Sequence, residues 1–241
     1  MRVGIFGRGK LGSALAQELA ATEDLELAWH IDLGEAPAGP VELAFDASIA
    51  GAVAEHLDWA LETGTDLVIG TTGWSIPDLE ARVGRRIGVL AAPNFSLAVA
   101  LMARLALVLG RFAALDPDLD PFLTEHHHRH KADAPSGTAK RLAAAVLAGC
   151  PRKTSWTLGT PTPEQLSVGV VRAGAEFGVH TVGLDSPAEV LELTHRTRSR
   201  AVYARGALLA ARWVRGRKGV FNFDHVTKDI LDPLFTFGDR L

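Results

Sequence analysis

The chain has 241 residues, 47% hydrophobic and 22% charged, and its 25 basic against 28 acidic side chains leave a formal net charge of -3. This balance describes an ordinary folded α/β protein and excludes a disordered or fibrous chain; it also lacks the cationic surplus that a nucleic-acid partner calls for. Cys150 is the only cysteine, so there is no intrachain disulfide and no cysteine-rich zinc site, and a reducing cytoplasm is the expected location.

In chain order, "RVGIF" (2–6) reads as a strand rather than a signal peptide, because its apolar run before the glycines is too short. Leu11–Ala21 has helical spacing, "LELAWHI" (25–31) and "VELAF" (41–45) are strand-like, Ala50–Thr63 is helical, and "DLVIG" (66–70) is again a strand. Such alternation predicts a parallel sheet wrapped by helices. A short strand, Ile87–Ala91, leads through "APNFS" into a long helix from Leu97. Its apolar stretch to Gly110 is too short to cross a bilayer and carries Arg104, so no membrane association is expected. Beyond it, "PFLTEHHH", "SVGVVRAG", "VHTVGL" and "EVLELTHRT" are strand-like with few helices between them, which predicts a second, α+β domain with a mostly antiparallel sheet. The expected boundary lies near residues 97 to 99. A last helical pattern, Arg200–Arg215, and the tail "GVFNFDHVTKDIL" suit either domain.

"VGIFGRGKLGSAL" sets Gly7, Gly9 and Gly12 in a G-x-G-x-x-G pattern between a strand and a helix. The first glycine permits the tight turn, the second lets backbone approach a pyrophosphate, and the third lets helix pack on strand, while free N–H groups at the helix start face the phosphates. Asp32 ends the second strand, where a carboxylate meets adenosine ribose hydroxyls. Its charge repels a 2'-phosphate and Leu33 follows it, which favours NADH; Arg8 and Lys10 in the loop leave NADPH open. Two more polar turns follow strands, "GTTGW" (Gly70–Trp74) and "APNFS" (Ala92–Ser96). In an open α/β sheet ligands sit beyond the carboxyl ends of strands, so both are candidate nicotinamide contacts, with the Asn94 amide suited to a carboxamide.

"EHHHRHKADAPSGTA" (125–139) holds four histidines in five positions. As a continuing strand it places His126, His128 and His130 on one face and Glu125, His127 and Arg129 on the other. Imidazoles two apart on a strand can also converge on a metal, although no H-E-x-x-H or cysteine pair supports this and a lysine is a poor neighbour for a cation. The third reading is acid/base chemistry with anion binding. Ser136 is placed to cap a helix whose N–H groups near Gly137 and Thr138 face an anion such as a carboxylate, and Lys131 and the histidines lie just upstream as proton donors. Asp133 is expected to orient its neighbours.

With "FDAS", "HTVGL", "ELTHRTRSR" and "ARGALLAARWV", these motifs occur in the order found in 4-hydroxy-tetrahydrodipicolinate reductases (dihydrodipicolinate reductases), and the chain resembles that family from about residue 3 to 225. The resemblance implies an NADH- or NADPH-dependent reductase of the diaminopimelate route to lysine, acting on a cyclic dicarboxylate; from the residue pattern above, no metal is expected. It implies His127 as acid/base residue, Lys131 as proton donor, and His128, Gly137 and Thr138 at the substrate carboxylate. Cofactor contacts would be Gly7, Arg8, Gly9, Lys10, Leu11, Gly12, Asp32, Gly70, Thr71, Thr72, Ala92, Pro93, Asn94 and Phe95. It further implies a Rossmann-type dinucleotide-binding domain of residues 1–98 and 201–241, a substrate-binding and oligomerisation domain of residues 99–200, and a homotetramer.

Overall fold

The computed structural model describes residues 1–236. The chain forms two compact units: Met1–Ser96 together with the segment from Arg200 onward, and the intervening Leu97–Ser199. The elements of the first unit are β1 (Arg2–Phe6), α1 (Lys10–Ala20), β2 (Glu26–Ile31), β3 (Leu43–Asp46), α2 (Val53–Thr63), β4 (Asp66–Ile69), α3 (Leu79–Val83) and β5 (Gly88–Ala91). The second unit contains α4 (Leu97–Ala113), β6 (Asp120–His127), α5 (Gly137–Gly149), β7 (Ser155–Thr157), β8 (Gln165–Arg172), β9 (Val179–Asp185) and β10 (Val190–Arg196). The chain then returns to the first unit with α6 (Ala201–Val214), β11 (Gly219–Asn222) and α7 (Phe223–Leu231).

In the first unit six parallel strands run in the order β11-β5-β4-β3-β1-β2. The central strands β3 and β4 are buried throughout, as expected where helices cover both faces of a sheet. Strand period sorts their side chains into two cores. Val3, Ile5, Phe45, Val68 and Leu90 face Leu15 and Leu19 of α1 and Ala207 and Leu208 of α6. Ala44, Leu67, Ile69 and Val89 face Val53, Leu57 and Ala60 of α2 on the opposite side.

The second unit corrects one expectation. Its five-stranded sheet, β10-β9-β6-β8-β7, is mixed rather than mostly antiparallel. β9 is antiparallel to β6 and β10, whereas β6 pairs parallel with β8, and β8 with β7. The reason is α5: a helix between β6 and the next strands is the crossover that parallel pairing requires. One face of this sheet is closed by α4 and α5, with Met102, Ala106, Leu142 and Val146 packed on Leu123, Val168 and Val182.

Smaller differences are local. The helix read from Ala50 begins with a 3-10 turn, Ala50–Ala52, before α2. α4 runs on to Ala113, and α3 and β7 carried no sequence signal of their own. Among the described residues no helix is long and apolar enough to cross a membrane.

Candidate active site

In the first unit the chain leaves β1 for β2 on one side and returns to β3 on the other. The reversal falls at the carboxyl ends of β1 and β3, the usual ligand position in such sheets. The glycine loop lies there and is tightly built. Gly7 has φ +99°, a region that disfavours side chains, and a Cβ at Gly12 would stand 1.8 Å from the Gly7 carbonyl oxygen. The Gly7 N–H donates to the Ile31 carbonyl at 2.8 Å. α1 opens at Lys10 with Gly9 as its N-cap and no side chain accepting from its first turn, so those N–H groups suit an anion.

The other predicted turns share this edge. Gly70 and Thr71 donate their backbone N–H groups to the Asp46 carbonyl at 2.8 and 3.2 Å, and Thr72 is exposed. Gly70 also packs under Leu11, whose Cδ2 would be 2.6 Å from an added Cβ. After β5, Ala92 donates to the Ile69 carbonyl, Pro93 is exposed, Asn94 Oδ1 accepts from the Ser96 N–H at 2.8 Å, and buried Phe95 meets Phe223 edge-on at 5.4 Å. Asp32 and Leu33 are exposed just past β2.

Sequence reading missed the polar centre of this edge. Asp46, in "FDAS", is buried and accepts from Thr71 Oγ1 at 2.6 Å and from the Ser48 hydroxyl at 2.7 Å, with His56 Nδ1 2.8 Å from its second oxygen. Burial works to raise its pKa, but the hydrogen bonds from His56, Thr71 and Ser48 outweigh that and hold the carboxyl below its ordinary value. The His56 ring in turn stacks on Phe6 at 3.9 Å. One carboxylate therefore fixes the turns after both β3 and β4.

In the second unit, cross-strand register gathers the chemistry. Glu125 of β6 stands opposite His180 of β9, His180 opposite His195 of β10, and His127 beside Arg172 of β8. Directly paired residues point to the same face, here the face on which α4 and α5 pack. The Glu125 side chain is fully buried: Oε1 accepts from Arg172 Nη2 at 2.6 Å and from the Ser136 N–H at 3.0 Å. Oε2 lies 3.5 Å from His180 Nε2 and 3.6 Å from His127 Nδ1, beyond normal hydrogen-bond distance to either. Burial pushes the Glu125 pKa up, but His180, Ser136 and Arg172 together hold it well below the carboxylate range. Burial first, and then the neighbouring His180, lower the His127 pKa to about 4 against the pull of Glu125, so its imidazole is neutral at pH 7.

Ser136 caps α5 as expected, its Oγ accepting the Ala139 N–H at 3.1 Å. No partner takes the N–H of Gly137 or Thr138 among the described residues. Lys131 Nζ is 2.7 Å from Asp133 Oδ1, and that ion pair, chiefly the hydrogen bond from Lys131, lowers the Asp133 pKa. The expectation of a continuing strand is corrected: β6 stops at His127, because the His128 and Arg129 N–H groups turn to the carbonyls of Glu176 and Gly174. Glu125 and His127 do share a face, whereas His128 and His130 belong to a turn, their rings 6.3 Å apart. Arg172 and His180 were not picked out, since only the register of three strands reveals them.

A parallel sheet with a glycine loop at its reversal point defines a dinucleotide-binding class of fold, here joined to a mixed-sheet unit that carries a buried carboxylate and histidine cluster. Comparison narrows this. Residues 32–95 match the family model "Dihydrodipicolinate reductase, N-terminus" and residues 96–227 match "Dihydrodipicolinate reductase, C-terminus". A 4-hydroxy-tetrahydrodipicolinate reductase of Magnetococcus marinus is 37% identical over 80% of this chain and 78% of its own. One of Zymomonas mobilis is 34% identical over 96% and 97%. The dipicolinate-bound dihydrodipicolinate reductase of Paenisporosarcina sp. TG-14 has the same fold, with TM-score 0.72 and 23% identity over 92% of this chain and 97% of that one. This chain belongs to the dihydrodipicolinate reductase family.

Proposed function

We infer that the chain catalyses NAD(P)H-dependent reduction of 4-hydroxy-tetrahydrodipicolinate to tetrahydrodipicolinate, in the diaminopimelate route to lysine. Relatives of that name, more than 30% identical over most of both chains, support the reaction. The observation that carries the reading is the cluster at the end of β6, where an imidazole, an ammonium and an open helix N-terminus lie on one short stretch, as a small dicarboxylate requires.

The residues divide the work as follows. Gly7, Arg8, Gly9, Lys10, Leu11 and Gly12 hold the pyrophosphate; Asp32 takes the ribose hydroxyls; Gly70, Thr71, Thr72, Ala92, Pro93, Asn94 and Phe95 line the nicotinamide. The close glycine packing, which an added Cβ would destroy, fits such a group. When bound, the reduced nicotinamide supplies a hydride. Gly137 and Thr138 N–H groups and His128 hold a substrate carboxylate. Lys131 donates the proton that completes reduction, its ammonium lying 2.7 Å from Asp133 Oδ1, while His127 is neutral in the free protein. A bound dicarboxylate favours the imidazolium and brings His127 into service as acid/base residue. Asp32 and Leu33 favour NADH over NADPH.

Glu125, His127 and His180 offer ligand atoms within 4.8 Å of one another, but we read them as a proton-handling group without metal. Arg172 already occupies Glu125, so a dication would sit against a guanidinium. The same reading has the protein cytoplasmic, without nucleic-acid or membrane partners, and homotetrameric through the sheet of the second unit, where Val171 and Val190 are about half exposed.

The test is a coupled assay in which the synthase makes the substrate in place from aspartate semialdehyde and pyruvate. NADH or NADPH oxidation should depend on the synthase and fall by about two to four orders of magnitude in Lys131→Ala and His127→Ala. Unchanged turnover in either variant removes that residue from the mechanism.

A further inference from the structure

Asp32 and Leu33 account for NADH preference only if the loop cations stay away from a 2'-phosphate. The structure engages one of them. Arg8 donates from Nε and Nη2 to the His30 carbonyl at 3.2 and 3.0 Å. Its guanidinium also meets Glu35, with Nη1 3.3 Å from Oε1 and Nη2 3.1 Å from Oε2.

Glu35 is held in turn. Its Oε2 accepts the Asp32 N–H at 2.9 Å, and its own N–H donates to the Asp32 carbonyl at 3.0 Å. The pair is about half exposed, and an exposed ion pair alone contributes little. Here both partners are fixed by backbone groups as well, so the arrangement is set before any ligand arrives. Its effect is twofold: the planar fork of Arg8, the group best matched to a phosphate, faces a carboxylate of the protein, and a second negative charge stands in the turn that begins at Asp32.

We propose that Glu35 is a coenzyme-specificity residue, clamping Arg8 at the end of β2 and disfavouring dinucleotides that carry a 2'-phosphate. The proposal rests on the dinucleotide reading of the glycine loop and deepens it. Glu35→Gln removes the charge and releases the guanidinium, which then turns to a 2'-phosphate.

The experiment uses the full chain as wild type, Glu35→Gln and the double variant Arg8→Met/Glu35→Gln. Dissociation constants are measured for 5'-AMP and 2',5'-ADP, and kcat/KM for NADH and NADPH. Glu35→Gln should shift both ratios towards the 2'-phosphorylated form by about tenfold, the scale of one charge-assisted hydrogen bond, and the double variant should lose that gain. A ratio unmoved in Glu35→Gln overturns the proposal, as does a gain that survives in the double variant; in either case nucleotide binding by the wild type leaves the dinucleotide reading standing. No binding of any nucleotide by the wild type overturns that reading and the proposal with it.

Discussion

The Glu125 Oε1 oxygen accepts the backbone N–H of Ser136 at 3.0 Å, so one buried carboxylate fastens the end of β6 to the start of α5. The stretch between, 128–135, carries His128 and Lys131 and is therefore a loop pinned at both ends. Ordering a segment costs entropy, and here that cost is met in the fold before any ligand binds, as the proposed role of Lys131 as proton donor requires.

Glu125→Gln leaves the Arg172 guanidinium facing a neutral amide in a buried place. Breaking one side of such a pair destabilises by about 3 kcal/mol, and the pinned loop loosens with it. Denaturant unfolding should show a lower midpoint together with reduced turnover. An unchanged midpoint would refute the role given to this carboxylate.

The His127 shift makes a prediction about pH. Above pH 6.5 the imidazole is neutral in both folded and unfolded chains. Between 6.5 and about 4 only the unfolded chain takes up the proton, so stability falls as the pH drops through that window and levels off below it. His127→Asn should lose this share of the slope, measured by urea unfolding from pH 7 to 4.5. The imidazole resonances of the free wild type should titrate with a midpoint near 4.

Asp46 also loses stabilisation as the pH falls, in a more acidic window than His127. Its folded pKa is depressed, so its stabilisation is complete above the unfolded value of 3.8 and is lost as the pH falls through the lower folded value. Asp46→Asn should be less stable than wild type at pH 7 by about 1 to 3 kcal/mol, and the gap should narrow towards pH 3. A constant gap across that range would mean that the side chain acts only through shape.

Gly12→Ala tests the loop. The new Cβ would be 1.8 Å from the Gly7 oxygen, so the start of α1 must move, destabilising the unit by about 1 to 3 kcal/mol. NADH affinity, followed by fluorescence titration, should fall by at least about tenfold, since the N–H groups proposed to hold the pyrophosphate move with the helix. Unaltered affinity would place the pyrophosphate elsewhere.

What the sequence reveals here follows from the range of the interactions. Runs such as "LVI" (67–69) and "LAF" (43–45) are apolar, and their alternation with helical spacing makes the parallel sheet readable residue by residue. The Ser136 cap is equally local. Glu125 and His127 fall on one face because strand period holds up to His127; His128 and His130 leave it because partners at 174 and 176, far along the chain, end the strand. His180 and Arg172 join the cluster only through register, which no local pattern encodes. The mixed sheet is hidden because strand patterns alone do not give direction; α5 is the crossover that returns the chain parallel. In sequence His56 is one residue of a helix, with nothing to mark its pairing to Asp46.

The split of the first unit across the chain bears on how it is made. Strand β11 pairs with β5, Gly219 opposite Gly88, and α6 covers the sheet face formed by Val3, Ile5, Phe45 and Leu90. A ribosome finishes β5 well before α6, and at typical elongation rates the residues between them take roughly 5 to 25 s to synthesise. Throughout that interval the nascent sheet presents an uncovered apolar face and an unpaired strand edge. The second unit, contiguous in sequence, is completed first, and the newborn N-terminal segment is the part that a chaperone would find.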